Sequence, residues 1–263
     1  MKKFLIVLLA ALFAISAVAC TAGTAATSAK EKLTLGTSAD YPPFEFIILE
    51  DGQQKYVGID ISVANAICDD AGKELNVMNM DFDSLMAALQ KGDVDFVIAA
   101  IEETPERLDA ADFSDPYYTD YPAMVLVKAA NAAAYTDTAS FAGKAVGAQT
   151  GTTKADLVND ELTGANLVAL TSVTDLVNQL VYDKVDAIVL DGAVALQYAQ
   201  SNSELVVADV SFGEALPYCV AVQKGDPKNL LPSINATIAK LLANGSIDAF
   251  SEAADALSDQ AIE

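Results

Sequence analysis

Histidine is absent from the 263 residues. Histidine-based proton transfer and His-ligated metal sites are therefore excluded. Basic residues are scarce: 15 Lys and Arg stand against 37 Asp and Glu, a net charge of −22. That charge opposes a generic patch for nucleic acid or anionic lipid. Cysteine is also scarce. Apart from Cys20, only Cys68 and Cys219 occur, and they match no metal-ligand spacing. A disulfide between them is open outside the cytoplasm; two buried free thiols is the favoured alternative. No metal and no cofactor is expected. Long apolar runs are lacking except over residues 4–19, which is short for a membrane span.

Lys2 and Lys3 precede that run, and Ala17-Val18-Ala19-Cys20 closes it. A basic start, an apolar centre and small residues at the end read as a secretory signal over 1–19. Cysteine directly after small residues resembles the cleavage motif of bacterial lipoproteins. The resemblance implies that Cys20 is the lipidated first residue of the mature chain; an uncleaved anchor is the alternative. Without residues 1–19, which hold two lysines and no acid, the net charge is −24. Residues 20–31 are mostly Ala, Thr, Ser and Gly, and read as a flexible tether. About 230 residues remain, enough for one large domain or two small ones.

The stretch 94–118, VDFVIAAIEETPERLDAADFSDPYY, organises the rest. Residues 96–101 form a short apolar run ending in turn chemistry, which predicts a buried parallel strand. Thr104 can cap the next helix, and Pro105 suits its first position because it has no N–H to leave unpaired. Arg107 then lies in a first helical turn just past a strand's carboxyl end, where open α/β sheets bind ligands. Its guanidinium is a fork for a carboxylate; an ordinary helix-surface ion pair is the competing reading.

Upstream, residues 33–37 read as the first strand, followed by the stiff turn SADYPPFEF. Pro42 and Pro43 fix the backbone there and present Tyr41 toward a site and Phe44 toward a core. Asp60 is expected to cap a helix ending at Gly72; a strand over 75–80 and a helix from Asp81 to Gly92 follow. This βαβα order predicts a parallel sheet with helices on its faces.

Residues 82–100 resemble 173–191 at a constant offset of 91. Leu85 matches Leu176, Leu89 matches Leu180, and Val94-Asp95 matches Val185-Asp186. One copy at that spacing suggests two lobes of similar build; shared helix-turn-strand composition is the alternative. In the second lobe, the turn Gln149-Thr-Gly-Thr-Thr-Lys puts unpaired N–H groups at a helix start, an anion site or an ordinary loop. Its spacing is not that of a nucleotide-phosphate loop. Asp191 falls at a strand's carboxyl end, as Ala100 does in the first lobe.

With these residues assembled, the chain resembles the extracellular solute-binding proteins of family 3, receptors for polar amino acids in ABC importers. GTSADYPPFEF, VGIDISVANAI, DFDSLMAALQKGDVDFVIAA, TPER, DFSDPYY, GKAVGAQTGTT and VDAIVLD carry the resemblance over residues 32–250. It implies an α/β, two-lobed periplasmic-binding-protein-like fold of type II with two hinge crossings. The lobes would be 32–117 with 219–263, and 122–213; the hinges would lie near 117–121 and 214–218. It also implies that Arg107 grips a ligand α-carboxylate, aided by the turn at Thr152 and Thr153. Asp191 would take the α-ammonium, Ala100 would offer its carbonyl, and Tyr41 and Phe82 would sandwich the side chain.

Glu102 departs from the family, which usually has Ser or Thr there. The carboxylate would repel the ligand's own unless it turns away or pairs. Ser38 stands where Asp is common, and Gln149 where glutamine receptors have Lys; the C-terminus lacks the family's frequent Trp. Ser38, Gln149, Tyr41 and Phe82 point to a polar, uncharged side chain, while Glu102 leaves a cationic one open. The expected function is capture of a free amino acid by a lipid-anchored monomer outside the cytoplasm, for an ABC transporter permease. Two rivals remain. One is a cyclohexadienyl-dehydratase-like enzyme using Glu102 as an acid, against which no further unusual acid or lysine is identified in the site. The other is a soluble partner of a receptor.

Overall fold

The computed structural model describes residues 30–210 and 212–261. The expected signal, Cys20 and nearly all of the tether lie outside the described residues. Strand β1 (Lys32–Thr37) opens the first lobe, and β2 (Asp40–Tyr41), β3 (Glu45–Glu50) and β4 (Gln53–Val57) form a small antiparallel layer after it. Helix α1 (Ile59–Asp70) buries Ile59, Val63, Ala64, Ile67 and Cys68. The expected cap at Asp60 is incorrect: Gly58 holds that position. Asp60 is buried instead, accepting hydrogen bonds from the Ala100 N–H (2.7 Å) and the Tyr117 hydroxyl (2.6 Å). A carboxylate with no access to water needs fixed donors, and these two supply them.

Strand β5 (Glu74–Asn79) pairs parallel with β1. Helix α2 (Leu85–Lys91) follows one 3-10 turn at Phe82–Ser84, and ends at Gly92, whose φ of 80° closes it in the left-handed region. Strand β6 covers only Phe96–Val97, so the run expected to reach residue 101 is cut short. The cause is Ala100, a non-glycine residue at φ 44°, held there by Asp60. The bend turns the chain out of the sheet into α3 (Pro105–Ala110), after which β7 (Ala111–Phe113) rejoins it.

The second lobe comprises β8 (Met124–Lys128), β9 (Ala145–Gln149), α4 (Thr153–Asp160), β10 (Asn166–Leu170), α5 (Val173–Val181), β11 (Ala187–Leu190), α6 (Gly192–Ser201) and β12 (Leu205–Val207). Its sheet runs β10-β9-β11-β8-β12. The chain returns through β13 (Ala221–Gln223), α7 (Leu231–Ala243) and α8 (Ser246–Ser258). β13 enters the first sheet between β6 and β7, giving the order β5-β1-β6-β13-β7.

The outgoing and returning segments cross side by side. Tyr218 N–H donates to the Tyr118 carbonyl at 2.8 Å, and Tyr117 N–H to the Tyr218 carbonyl at 3.0 Å. The Tyr118 and Tyr218 rings stack, with centroids 6.1 Å apart. Helix α8 packs on α1 and α7. Its end also reaches the second lobe, where the Ser201 hydroxyl donates to Asp259 at 2.7 Å.

The two 91-offset units have the same build. Leu85 and Leu89 of α2 are fully buried, as are Leu176 and Leu180 of α5. Each helix lies close over a glycine in a neighbouring strand. A Cβ at Gly36 would meet Leu85 Cδ2 at 3.3 Å, and one at Gly147 would meet Leu176 Cδ2 at 2.8 Å. Cys68 and Cys219 are both buried and free, and burial pushes each thiol up to about 11.

Candidate functional site

The site forms where the carboxyl ends of both sheets face each other. On the first-lobe side, Thr104 caps α3 through its hydroxyl, which accepts from the Arg107 N–H at 3.2 Å, with Pro105 at the first helical position. Arg107 is thereby aimed at the cleft. Its Nη1 donates to the Glu102 carbonyl (2.9 Å) and to Glu102 Oε2 (3.0 Å). Its Nη2 crosses to the Gly151 carbonyl of the second lobe at 3.2 Å. The guanidinium also lies 5.3 Å from the centre of the Phe82 ring, a cation–π contact.

On the facing side, Asp191 sits directly after β11 and is buried. Its Oδ2 accepts from the Tyr41 hydroxyl at 2.7 Å, so the first lobe reaches across to it. Tyr41 is thus site-facing and Phe44 lies wholly in the core. Thr152 caps α4, and its hydroxyl accepts from the Ala155 N–H at 3.4 Å. This places Thr153 at the start of the helix, where its hydroxyl donates to Glu102 Oε1 at 2.9 Å.

Lys154 was missed in the sequence. It is 5% exposed, pairs with Asp191 Oδ1 at 2.6 Å and pairs closely with Glu102 Oε1. The absence of an unusual lysine from the site is therefore corrected. The available signal was electrostatic. A cation in the first turn of a helix opposes the helix dipole, so a lysine there calls for acids nearby.

Glu102 does pair rather than turn away. Burial pushes its carboxyl up, but Lys154 and Arg107 outweigh this and hold it at about 2. Burial lowers the Lys154 pKa, and Asp191 with Glu102 more than reverses that, leaving it raised. Burial raises the Asp191 carboxyl against the pull of Lys154. The four side chains thus form one largely buried chain of alternating charge, Arg107–Glu102–Lys154–Asp191, ending at the Tyr41 hydroxyl.

Tyr41, Phe82, Ala100, Gln149, Thr152 and Asp191 surround the same point, with Glu102 and Lys154 filling it. The space left is about 10 Å³, room for no more than about one water. Gln149 donates to the Thr171 carbonyl at 2.9 Å. Ser38 is not brought into this group. It lines an adjoining cleft of about 410 Å³ together with Asp40, Asn79, Asp81 and Asp175. A second cleft of about 620 Å³ opens beside Arg107 and Thr104.

The sequence model of the bacterial extracellular solute-binding proteins, family 3, matches residues 33–253. The chain belongs to this family. Its curated relatives include the arginine-binding extracellular protein ArtP of Bacillus subtilis, 34% identical over 94% of this chain and 96% of that one. ABC transporter arginine-binding protein 1 of Escherichia coli is 32% identical, over 86% of this chain and 91% of its own length. Among solved structures, the substrate-binding protein AbpA of Streptococcus pneumoniae bound to L-arginine superposes with a TM-score of 0.83 at 35% identity, covering 86% of this chain and 95% of that one. The arginine-specific periplasmic binding protein of Salmonella typhimurium gives 0.78 at 31% identity, covering 85% and 98%. The two-lobed architecture of this solute-binding protein is thus that of periplasmic amino-acid receptors, and its place is outside the cytoplasm.

Proposed function

We propose that this solute-binding protein captures a free polar amino acid between its lobes and delivers it to an ABC transporter permease. The carrying observation is that Arg107 and Asp191, from opposite lobes, are joined through Glu102 and Lys154 in one largely buried network. A zwitterion loses hydration at two charges on entry, at a cost of several kcal/mol per ion unless each is paired. Arg107 and the Thr152–Thr153 turn offset the carboxylate; Asp191, with the Ala100 carbonyl, offsets the ammonium. Tyr41, Phe82 and Gln149 border the side chain. Because the cation and the anion lie on different lobes, the ligand favours closure about crossings near 117–121 and 214–218.

Arginine is the first ligand to test. Relatives named for arginine support it, and so do Asp40, Asp81 and Asp175 in the cleft beside Ser38, which suit a cationic side chain better than a neutral one. The protein acts as a monomer tethered through lipid at Cys20, with lobes at 32–117 plus 219–263 and at 122–213. It is a receptor rather than a dehydratase: its relatives are named for binding, and Glu102 is engaged by Lys154 and Arg107. In isothermal titration against the common amino acids, at least one should bind, and Arg107→Ala should weaken it by at least about 100-fold, roughly 2.7 kcal/mol. Affinity retained within about tenfold in Arg107→Ala would contradict the assignment.

A further inference from the structure

We infer that Glu102 and Lys154 are a ligand surrogate built into the chain: their carboxylate and ammonium occupy the seats of a bound amino acid's carboxylate and ammonium, and they hold the cleft shut without a ligand. The inference rests on the amino-acid reading of the site.

The chemistry of each seat supports it. The Glu102 carboxylate takes Nη1 of Arg107 at 3.0 Å and the Thr153 hydroxyl at 2.9 Å, the donors that the proposed site offers a ligand carboxylate. The Lys154 ammonium takes Asp191 at 2.6 Å, the acceptor offered to a ligand ammonium. Arg107 and Asp191 alone would be one cation and one anion on facing walls, each short of a partner. Glu102 and Lys154 add one of each sign, so the four charges are compensated with nothing else present. A zwitterion brought in from solution would do the same.

Space and connectivity agree. The remaining cavity of about 10 Å³ cannot admit an amino acid beside the two side chains. Glu102 belongs to the first lobe and Lys154 to the second, so their ion pair bridges the cleft. The Arg107 bond to the Gly151 carbonyl, the Tyr41 bond to Asp191 and the Val173 N–H bond to Asp40 also span the cleft and add to that bridge. Both residues are anchored: the Glu102 backbone pairs with Tyr218 at the crossing, and Lys154 lies in the first turn of α4. An incoming ligand must therefore exchange with contacts of its own kind. Glu102 and Lys154 lower the apparent affinity and set a threshold concentration for capture.

Small-angle scattering and titration calorimetry test this with the full chain and the double variant Glu102→Ser, Lys154→Gln. Without ligand, the wild type should scatter as a closed molecule, whereas the double variant should have a larger radius of gyration and contract on adding L-arginine. The double variant should also bind L-arginine at least about tenfold more tightly. Glu102→Gln, which keeps the volume and removes the charge, should be intermediate in both measurements, and circular dichroism would verify that each variant is folded. A wild type as open as the double variant without ligand overturns the inference, and so do equal affinities. Failure of both proteins to bind any amino acid would sink the amino-acid reading and the surrogate with it, even with the wild type closed and the double variant open, whereas binding with no difference in shape or affinity would sink the surrogate alone.

Discussion

Two helix–strand units, 91 residues apart, share a scaffold and end in opposite chemistry. In the second, β11 runs straight into Asp191, and the acid is delivered by the strand itself. In the first, the matching residue is Ala100, apolar and held at φ 44°. There the chain bends away and delivers its charges later, as Glu102 and as Arg107 on a capped helix. A repeated fold thereby becomes an asymmetric site. The packing that positions the strand ends is common to both units; the backbone immediately beyond them is not. The bend depends on Asp60, a buried acid from another helix, which has no counterpart within the repeat.

The shared half of the comparison can be broken by emptying equivalent core positions. Leu85→Ala and Leu176→Ala each remove a fully buried side chain packed over a strand, and each should cost about 2–5 kcal/mol in denaturant unfolding. A loss in one of less than half that in the other would show that the two helices do not play the same role. The fit of helix to strand can be graded through the glycines. Gly147→Ala forces a contact of 2.8 Å on Leu176, and Gly36→Ala a milder 3.3 Å on Leu85. The first should destabilise by about 1–3 kcal/mol and the second by less; the reverse order in thermal melts would place the tighter unit in the wrong lobe.

A smaller effect tests the acids that tie the second lobe's helices to the rest. Asp40 accepts from the Val173 N–H at 2.7 Å, at the start of α5, and Asp120 accepts from the Ala193 N–H at 3.2 Å, in α6. Burial raises both carboxyls to about 6. For an acid whose pKa is higher in the folded state, the charged form is disfavoured by folding. Stability therefore rises as pH falls from above 6 toward the unfolded value near 4. The melting temperature should increase by a few degrees between pH 7.5 and pH 5, at about 2–4 °C per kcal/mol for a chain of this size. Glu102, held at about 2, gives its contribution above the unfolded value and loses it only as pH falls through about 2, so it stays ionised throughout this range. A melting temperature that falls steadily from pH 7.5 to pH 5 would show that neither acid is held as described.

Much of this was legible in the residues because it is local. The cap at Thr104, the helix stop at Gly92 and the leucines of the repeat follow from side-chain geometry within a turn or two. Arg107 and Asp191 could be placed at strand ends for the same reason. Asp60, expected as a cap, is instead buried against Ala100 and Tyr117, residues 40 and 57 positions away. Strand β6 ends early because of that same long-range bond. Lys154 stood in plain view in the Gly-Thr-Thr-Lys turn, yet its partners are 52 and 37 residues distant, and one lies across the cleft.

Local patterning was enough to lay out the α/β helix–strand units and to put Arg107 and Asp191 just past strand ends, because apolar periodicity and helix caps act over a few neighbouring residues. The pairing of the charges was fixed by how the chain folds up. Pair energies depend on separation and burial, and both are set when distant segments meet. Once Glu102 and Lys154 are buried together, water no longer screens them, and the partner each needs is the other.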